Sequence, residues 1–117
     1  MDAVRIGERM TSCPTQHARI ELGLAPGCRD AVLDEIDLAT AQLRLCVSLT
    51  PTRYVCPAGS EEGMAIGLLD VPGMQGFSRE TALGLARRLL GPAGQHTVSV
   101  VFPDETVLVT EGDDWPS

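Results

Sequence analysis

The stretch "TSCPTQHARIELGL", residues 11–24, contains the first clear strand of the chain and a proline whose role depends on the fold. Ile20, Leu22 and Leu24 alternate with polar or small residues, which predicts a half-buried β-strand. Pro14 stands a few residues before this strand. A proline in that place either marks where a strand begins or has a chemical role. The fold to which the strand belongs decides between these readings.

Two segments with helical periodicity follow strand signals. In "CRDAVLDEIDLATAQLRL", residues 28–45, apolar residues lie on one stripe, and acidic residues crowd the first turns, where the helix dipole favours them. Ser78 is a good N-cap for the second helix, "RETALGLARRLL", which we expect Gly91 and Pro92 to end. The stripe residues predicted to face the core are Val32, Ile36, Ala39, Leu43, Ala82, Ala86 and Leu89.

Strand signals surround both helices. "LCVSLT" alternates and is expected to stop at Pro51, and "PTRYVCPAGSEEG" is expected to be a loop or an irregular extended stretch. "MAIGLLDV" is an apolar run short enough for a buried strand, and "TVSVVF" and "TVLVT" give two more strands near the end. The small residues Gly23 and Gly67 would allow something to approach the strands closely.

The order of elements predicts an α/β fold of two β-α-β repeats. Each repeat is expected to form a parallel strand pair with a right-handed crossover, giving a four-stranded sheet with both helices on one face and a short extra C-terminal strand. The alternative is an unrelated ferredoxin-like module, which would have antiparallel pairing and no trimer. Residues 1–17 are predicted to be an N-terminal arm, and residues 18–117 a single α/β domain.

Composition excludes several classes of function. The chain of 117 residues has a net charge of −7 and no lysine, since all nine basic residues are arginine. We therefore expect no nucleic-acid binding and no Schiff-base chemistry on lysine. The four cysteines (Cys13, Cys28, Cys46 and Cys56) form no CxxC pair, and His17 and His96 are far apart, so no metal or cofactor is predicted. Without a signal peptide or a membrane span, a cytoplasmic protein with reduced thiols is expected.

One longer stretch carries a resemblance to a known family. "GSEEGMAIGLLDVPGMQGFSRET", residues 59–81, resembles the middle of the tautomerase superfamily, particularly members similar to macrophage migration inhibitory factor. Those members have a similar loop, strand, turn and helix start, and Pro51 matches a proline at the end of their second strand. The resemblance implies a trimer of β-α-β repeats with pockets between subunits.

The chemistry implied by the resemblance depends on a free N-terminal proline. Its secondary amine, with a lowered pKa in a dry pocket, can move a proton beside a carbonyl group. Residue 2 of this chain is Asp, and Pro14, the candidate by position, is an amide within the chain and has no basic lone pair. Pro14 can therefore act as a base only if it is freed as the N-terminus.

Other candidate site residues follow from the same comparison. The family's pocket lysine has no counterpart, and Arg44 or Arg53 could replace it as a clamp for a small carboxylate ligand. Val71, at the turn after the strand, is assigned to the substrate pocket. Asp70, which closes an apolar strand, is a candidate catalytic acid or base, although an aspartate in this position commonly stabilises a turn.

Two functions from different classes remain open after the sequence is read. One is a keto–enol tautomerase or isomerase of a small oxo acid, with its usual proline base blocked by the arm. The other is a non-enzymatic oligomeric or small-ligand binding module on the same scaffold. Both include a homotrimer, because a single sheet would leave its helix-free face and its edges uncovered. Neither involves a membrane.

Overall fold

Two helices and five strands make up the described part of the chain. The computed structural model describes residues 15–70 and 78–111, with side chains from Ala18 onward. The elements are β1 (Thr15–Gly23), α1 (Arg29–Leu43), β2 (Cys46–Cys56), β3 (Gly59–Asp70), α2 (Arg79–Ala93), β4 (Thr97–Val101) and β5 (Thr106–Thr110). The predicted types and order of these elements are confirmed, including the short extra strand at the end.

The five strands form one antiparallel sheet in the order β2-β3-β1-β4-β5. The prediction of parallel pairs is wrong, because every pair of neighbours in this sheet is antiparallel. In each β-α-β unit, the two strands do run in the same direction, but another strand lies between them. β3 separates β1 from β2, and β1 separates β3 from β4. This is the split β-α-β arrangement of ferredoxin-like modules, extended by β5.

The hydrophobic core lies between the helices and one face of the sheet. Ile20, Ile66 and Val100 stand side by side on β1, β3 and β4, and all are fully buried. The alternate positions on these strands and the buried stripes of both helices belong to the same cluster. Val32, Ile36 and Ala39 confirm the predicted stripe of α1, as Ala82, Ala86 and Leu89 confirm that of α2, whereas Leu43 is only partly buried. Burial of this apolar surface is the main contribution to stability.

Within residues 15–70 and 78–111, no helix covers the other face of the sheet. At its centre, Arg19 Nε lies 2.6 Å from Glu21 Oε2, and both side chains are about two-fifths exposed or less. Arg19 pairs with Gly67 of β3 on one side of β1 and with Val101 of β4 on the other. Leu108 on β5 is 65% exposed. In the described part of the chain, this face therefore combines small, apolar and polar residues with the ion pair of Arg19 and Glu21, rather than being uniformly apolar.

Two prolines lie inside elements that they were predicted to end. Pro51 is in the middle of β2, where it is paired with Met64 of β3. Proline has no amide hydrogen to donate to a neighbouring strand. Because β2 is an edge strand with no neighbour on one side, it tolerates Pro51. Pro92 lies in the last turn of α2, which ends at Gly94 in the left-handed conformation (φ 68°). A proline so close to a helix end disturbs few backbone hydrogen bonds.

Ser78 is the N-cap of α2, and its hydroxyl accepts a hydrogen bond from the Thr81 amide.

An ion pair connects helix α1 to helix α2. Arg88 Nε donates to Glu35 Oε2 at 2.8 Å, and Arg88 Nη2 lies 2.7 Å from the same oxygen. The two side chains are 30% and 26% exposed, so water screens this pair less than it screens the other ion pairs of the described residues.

Replacing Arg88 by glutamine is expected to lower the free energy of unfolding by about 1 kcal/mol, because the change leaves Glu35 without its half-buried partner. Urea unfolding of Arg88→Gln, Glu35→Gln and the double variant measures the coupling between the residues. Effects that are simply additive would contradict the assignment of this pair as an interhelical contact.

Candidate functional site

The end of the β2–β3 hairpin brings an aromatic ring and two carboxylates together. Tyr54 on β2 is directly opposite Glu61 on β3, so the two side chains share a face of the sheet. Glu62 follows Glu61 in an extended strand and therefore points to the opposite face. The parity of β3 places Glu62 on the side of the helices, with Met64 and Ile66, and Glu61 on the helix-free side.

The two neighbouring carboxylates have different partners. Glu62 Oε1 lies 3.5 Å from Nη2 of Arg29, the first residue of α1. Glu61 Oε2 accepts a hydrogen bond of 3.0 Å from the side-chain amide of Gln95. Within residues 18–70 and 78–111, Glu61 has no ion pair with a basic side chain. The charge of Glu62 is thus partly compensated, while that of Glu61 is not.

Two glycines make room for these side chains. Gly23 and Gly63 are paired across β1 and β3. A Cβ atom on Gly23 would lie 2.7 Å from Glu61 Oε1, and one on Gly63 would lie 2.4 Å from Cε2 of the Tyr54 ring. Gly23 allows a close approach of the chain's own Glu61, whereas approach of a ligand or another subunit at Gly23 and Gly67 stays a prediction. The glycine pair leaves a bare area of backbone over which Tyr54 and Glu61 lie.

A buried hydroxyl group lies close to Gly63, as the Tyr54 ring does. Thr52 Oγ1 would be 2.6 Å from a Cβ atom on Gly63, is inaccessible to solvent, and has no hydrogen-bond partner among the described residues. Buried hydroxyl groups usually have a partner, since an unsatisfied one costs free energy. We name the group formed by Gly23, Thr52, Tyr54, Glu61, Gly63 and Gln95 the hairpin site.

Two concavities meet at the hairpin site. One of about 610 Å³ is lined by Leu24, Pro26, Gly27, Ser60, Glu61 and Glu62. The other, of about 290 Å³, is lined by Tyr54, Cys56, Ala58, Gly59, Ser60 and Glu61. Ser60 and Glu61 belong to both, so the Glu61 carboxylate stands on the ridge between them. Volumes of this size suit a small organic ligand.

The residues predicted from the sequence as site residues do not come together here. Pro14 and Val71 lie outside the described residues. Asp70 is exposed at the C-terminal end of β3, the opposite end of that strand from Glu61. Arg44 is exposed as the C-cap of α1, where it adopts the left-handed conformation with φ 55°. Arg53 is exposed on β2 beside Tyr54 and pairs across the strands with Glu62. Of the three that the structure describes, only Arg53 lies next to the hairpin site.

The sequence contains a signal for this site, which the prediction that β2 stops at Pro51 leaves in a loop. "GSEEG", residues 59–63, was interpreted as part of a loop, but the structure has β2 ending at Cys56, a tight turn at Pro57 and Ala58, and β3 beginning at Gly59. Two adjacent carboxylates in a strand must point to opposite faces. Treated as a strand, the motif would have indicated one carboxylate on each side of the sheet.

Two further polar clusters lie elsewhere on the surface. Arg79, at the start of α2, contacts Asp104 and Glu105 in the β4–β5 turn and lies over the Phe102 ring at 4.2 Å. The hydrogen bond from Arg79 lowers the pKa of Asp104 below its ordinary value. His96 Nδ1 lies 2.8 Å from Glu111 Oε1 on an exposed surface. Both clusters connect elements of the fold and neither borders the concavities described above.

Thiols and carboxylates are spread over the structure rather than clustered. Cys28, Cys46 and Cys56 are free thiols. Within the described residues, no group of three or more His, Cys, Asp or Glu side chains is placed to hold a metal ion. Neither described helix is long and apolar enough to cross a membrane.

Comparison with known proteins gives structural neighbours but no family. No protein-family model matches the chain, and no curated protein matches it. A solved structure of a phage SAM lyase in its apo state is similar to this chain, with a TM-score of 0.62 and 21% sequence identity. The similarity covers 93% of this chain and 100% of the lyase chain. A phage SAM lyase in complex with S-methyl-5'-thioadenosine is similar to 94% of this chain and 98% of its own, with a TM-score of 0.56 and 20% identity. At this level of identity, the likeness establishes a shared fold.

Proposed function

We propose that this chain binds S-adenosylmethionine at the hairpin site and cleaves it to S-methyl-5'-thioadenosine. The observation that carries the proposal is the uncompensated carboxylate of Glu61, which stands between two concavities beside an aromatic ring. S-adenosylmethionine carries a positively charged sulfonium group, and a carboxylate with an adjacent aromatic face attracts such a cation. The fold shared with phage SAM lyases over nearly the whole chain supports the same substrate class.

The net charge of the protein agrees with a cationic substrate. A net charge of −7 on 117 residues favours the approach of cations and disfavours polyanions. Tyr54, with 36% of its surface exposed, offers a flat apolar surface next to Glu61. A nucleoside base can stack on such a ring. The hairpin site therefore combines one group for the positive charge with one for the planar part of the ligand.

The reaction itself requires little from the protein. Cleavage breaks the bond between sulfur and the γ-carbon of the methionine moiety, and both electrons of that bond go to sulfur, which becomes a neutral thioether. The carbon then either accepts the substrate's own carboxylate, closing a lactone, or the neighbouring carbon loses a proton to water, forming an alkene. The positive charge of the substrate lies on the sulfur atom that leaves, and the uncompensated carboxylate of Glu61 attracts that charge. We therefore assign binding and orientation of the cation, rather than proton removal, to Glu61.

Incubation of purified protein with S-adenosylmethionine, followed by chromatography with mass detection, tests the proposal. Release of S-methyl-5'-thioadenosine above the spontaneous rate is expected, with a four-carbon amino-acid product whose NMR spectrum distinguishes lactone from alkene. Isothermal titration calorimetry measures binding separately from cleavage. Absence of both binding and cleavage at millimolar substrate would contradict the proposal, while binding without cleavage would favour the small-ligand binding module expected as the alternative from the sequence.

The tautomerase hypothesis stays a prediction. Its decisive residue, Pro14, lies outside the described residues, and so does Val71. As encoded, Pro14 is an amide, so full-length protein is expected to show little tautomerisation of phenylenolpyruvate-type substrates. A variant cleaved to begin at Pro14 provides the comparison. Strong activity of the full-length form that is unaffected by Pro14→Ala would assign that chemistry to another residue.

Self-association through the helix-free face also stays a proposal. β2 and β5 are edge strands of the sheet, and Leu108 on β5 is 65% exposed on that face. A closed cyclic trimer would cover the exposed leucine and give each sheet edge an equivalent neighbour. Light scattering coupled to size-exclusion chromatography is expected to give a mass near three times 12.4 kDa. A stable monomer at micromolar concentration would contradict the trimer.

A further inference from the structure

Gln95 is held in place by the end of α2. The helix terminates at Gly94, which has φ 68° and lies against Ala25 and Cys28, so that a Cβ atom there would be 2.8 Å from the Ala25 Cβ. The Gln95 amide donates a hydrogen bond of 3.0 Å to the Leu90 carbonyl. These two features are typical of a helix C-terminus stabilised by a left-handed glycine. The backbone of Gln95 is therefore fixed, and its side chain reaches Glu61 from a defined position.

The contact between Gln95 and Glu61 orients a carboxylate without neutralising it. Gln95 Nε2 donates to one oxygen, Glu61 Oε2, and both oxygens lie near Gly23, since a Cβ atom there would be 2.7 Å from Oε1 and 3.1 Å from Oε2. The side-chain amide of glutamine has no charge. One residue further along β3, Glu62 has arginine as its partner instead. The structure thus gives two adjacent carboxylates the same chemistry but different electrostatic surroundings.

We infer that Gln95 is a positioning residue that sets the charge preference of the hairpin site. By orienting Glu61 through a neutral donor, it leaves a full negative charge for the ligand, so the site prefers a cationic sulfonium to an otherwise similar neutral thioether. This inference rests on the proposed function and adds a consequence to it. The product, S-methyl-5'-thioadenosine, is neutral at sulfur, so the preference also favours release of product.

The test measures two ligands that differ by the sulfonium methyl group. S-adenosylmethionine and S-adenosylhomocysteine are titrated calorimetrically into wild-type protein and into Gln95→Lys. The wild type is expected to prefer the sulfonium. Gln95→Lys places a cation beside Glu61 and is expected to reduce the ratio of the two affinities roughly three- to tenfold, an effect limited by the solvent exposure of the site. Gln95→Glu, which adds a negative charge, is expected to preserve or increase the ratio.

A matched control separates this effect from a change of total charge. Gln42→Lys makes the same substitution at an exposed position of α1, away from the hairpin site. It is expected to leave the affinity ratio within about twofold of the wild type, since exposed charges beyond a Debye length are largely screened. Equal effects of Gln42→Lys and Gln95→Lys would overturn the inference, and so would an unchanged ratio in Gln95→Lys.

A measurement without ligand distinguishes failure of this inference from failure of the proposed function. In a ¹H–¹⁵N spectrum, the side-chain amide resonances of Gln95 are expected to move in Glu61→Gln and to stay in place in Glu62→Gln. If neither nucleoside binds at millimolar concentration, the proposed function fails, and the charge preference fails with it. The spectrum still tests whether Gln95 contacts Glu61, because it needs no ligand. Gln95 resonances that respond equally to both substitutions would overturn its role as the residue that positions Glu61.

Discussion

Replacing Glu61 by glutamine is expected to raise the KM for S-adenosylmethionine roughly 10- to 100-fold while changing kcat much less. The substitution preserves the shape of the side chain but removes the negative charge that faces the ligand. Because cleavage turns the sulfonium into a neutral thioether, the attraction to Glu61 is at least as strong in the bound substrate as in the transition state. An interaction of that kind contributes to binding rather than to the chemical step.

Steady-state kinetics with product detection checks this expectation. Glu80→Gln is the matched control, since it removes one negative charge at an exposed position in the first turn of α2. The control is expected to change kcat/KM by less than about threefold. A large loss of kcat in Glu61→Gln with an unchanged KM would show that Glu61 acts in the chemical step instead.

Replacing Gly63 by alanine is expected to lower the free energy of unfolding by about 1–3 kcal/mol and to weaken nucleoside binding. The new methyl group would lie 2.4 Å from the Tyr54 ring, 2.6 Å from Thr52 Oγ1 and 2.8 Å from the Leu22 carbonyl oxygen. The ring can move, but the carbonyl belongs to the backbone of the central strand β1. The substitution therefore disturbs the strand pairing as well as the position of Tyr54.

The same substitution at Gly84 provides the control for Gly63→Ala. Gly84 lies in the middle of α2, and a Cβ atom there would meet nothing within 4 Å. Alanine is favoured over glycine in a helix interior, so Gly84→Ala is expected to raise the free energy of unfolding by roughly 0.5–1 kcal/mol. Urea unfolding measures both variants. A neutral or stabilising effect of Gly63→Ala would contradict the close packing of the hairpin site.

Local patterns predicted the elements of this fold well, and the pairing of strands poorly. Alternation in "ARIELGL" and the stripe through Val32, Ile36 and Ala39 are set by burial on one side, which leaves a periodic trace in the sequence. Which strands become neighbours leaves no such trace. A β-α-β unit accommodates another strand between its two strands without any change in periodicity. The sequence therefore predicted parallel pairs, whereas the structure has a split antiparallel sheet.

The candidate site was the least predictable part. Its geometry depends on Gln95 and Gly23, which lie more than 30 residues from Glu61 in sequence, and on the pairing of Gly23 with Gly63. Pro51 was expected to end β2, and this placed Tyr54 and the "GSEEG" motif in a loop. Since an edge strand tolerates proline, both belong to one long hairpin, and the carboxylates of Glu61 and Glu62 separate onto opposite faces.

A crystal structure of the protein with S-methyl-5'-thioadenosine tests the central claim most directly. We expect the nucleoside to occupy the helix-free side of the β2–β3 hairpin, with its base against Tyr54 and a polar group within hydrogen-bond distance of Glu61. A nucleoside bound elsewhere, for example beside Asp70 at the other end of β3, would contradict the assignment of the hairpin site.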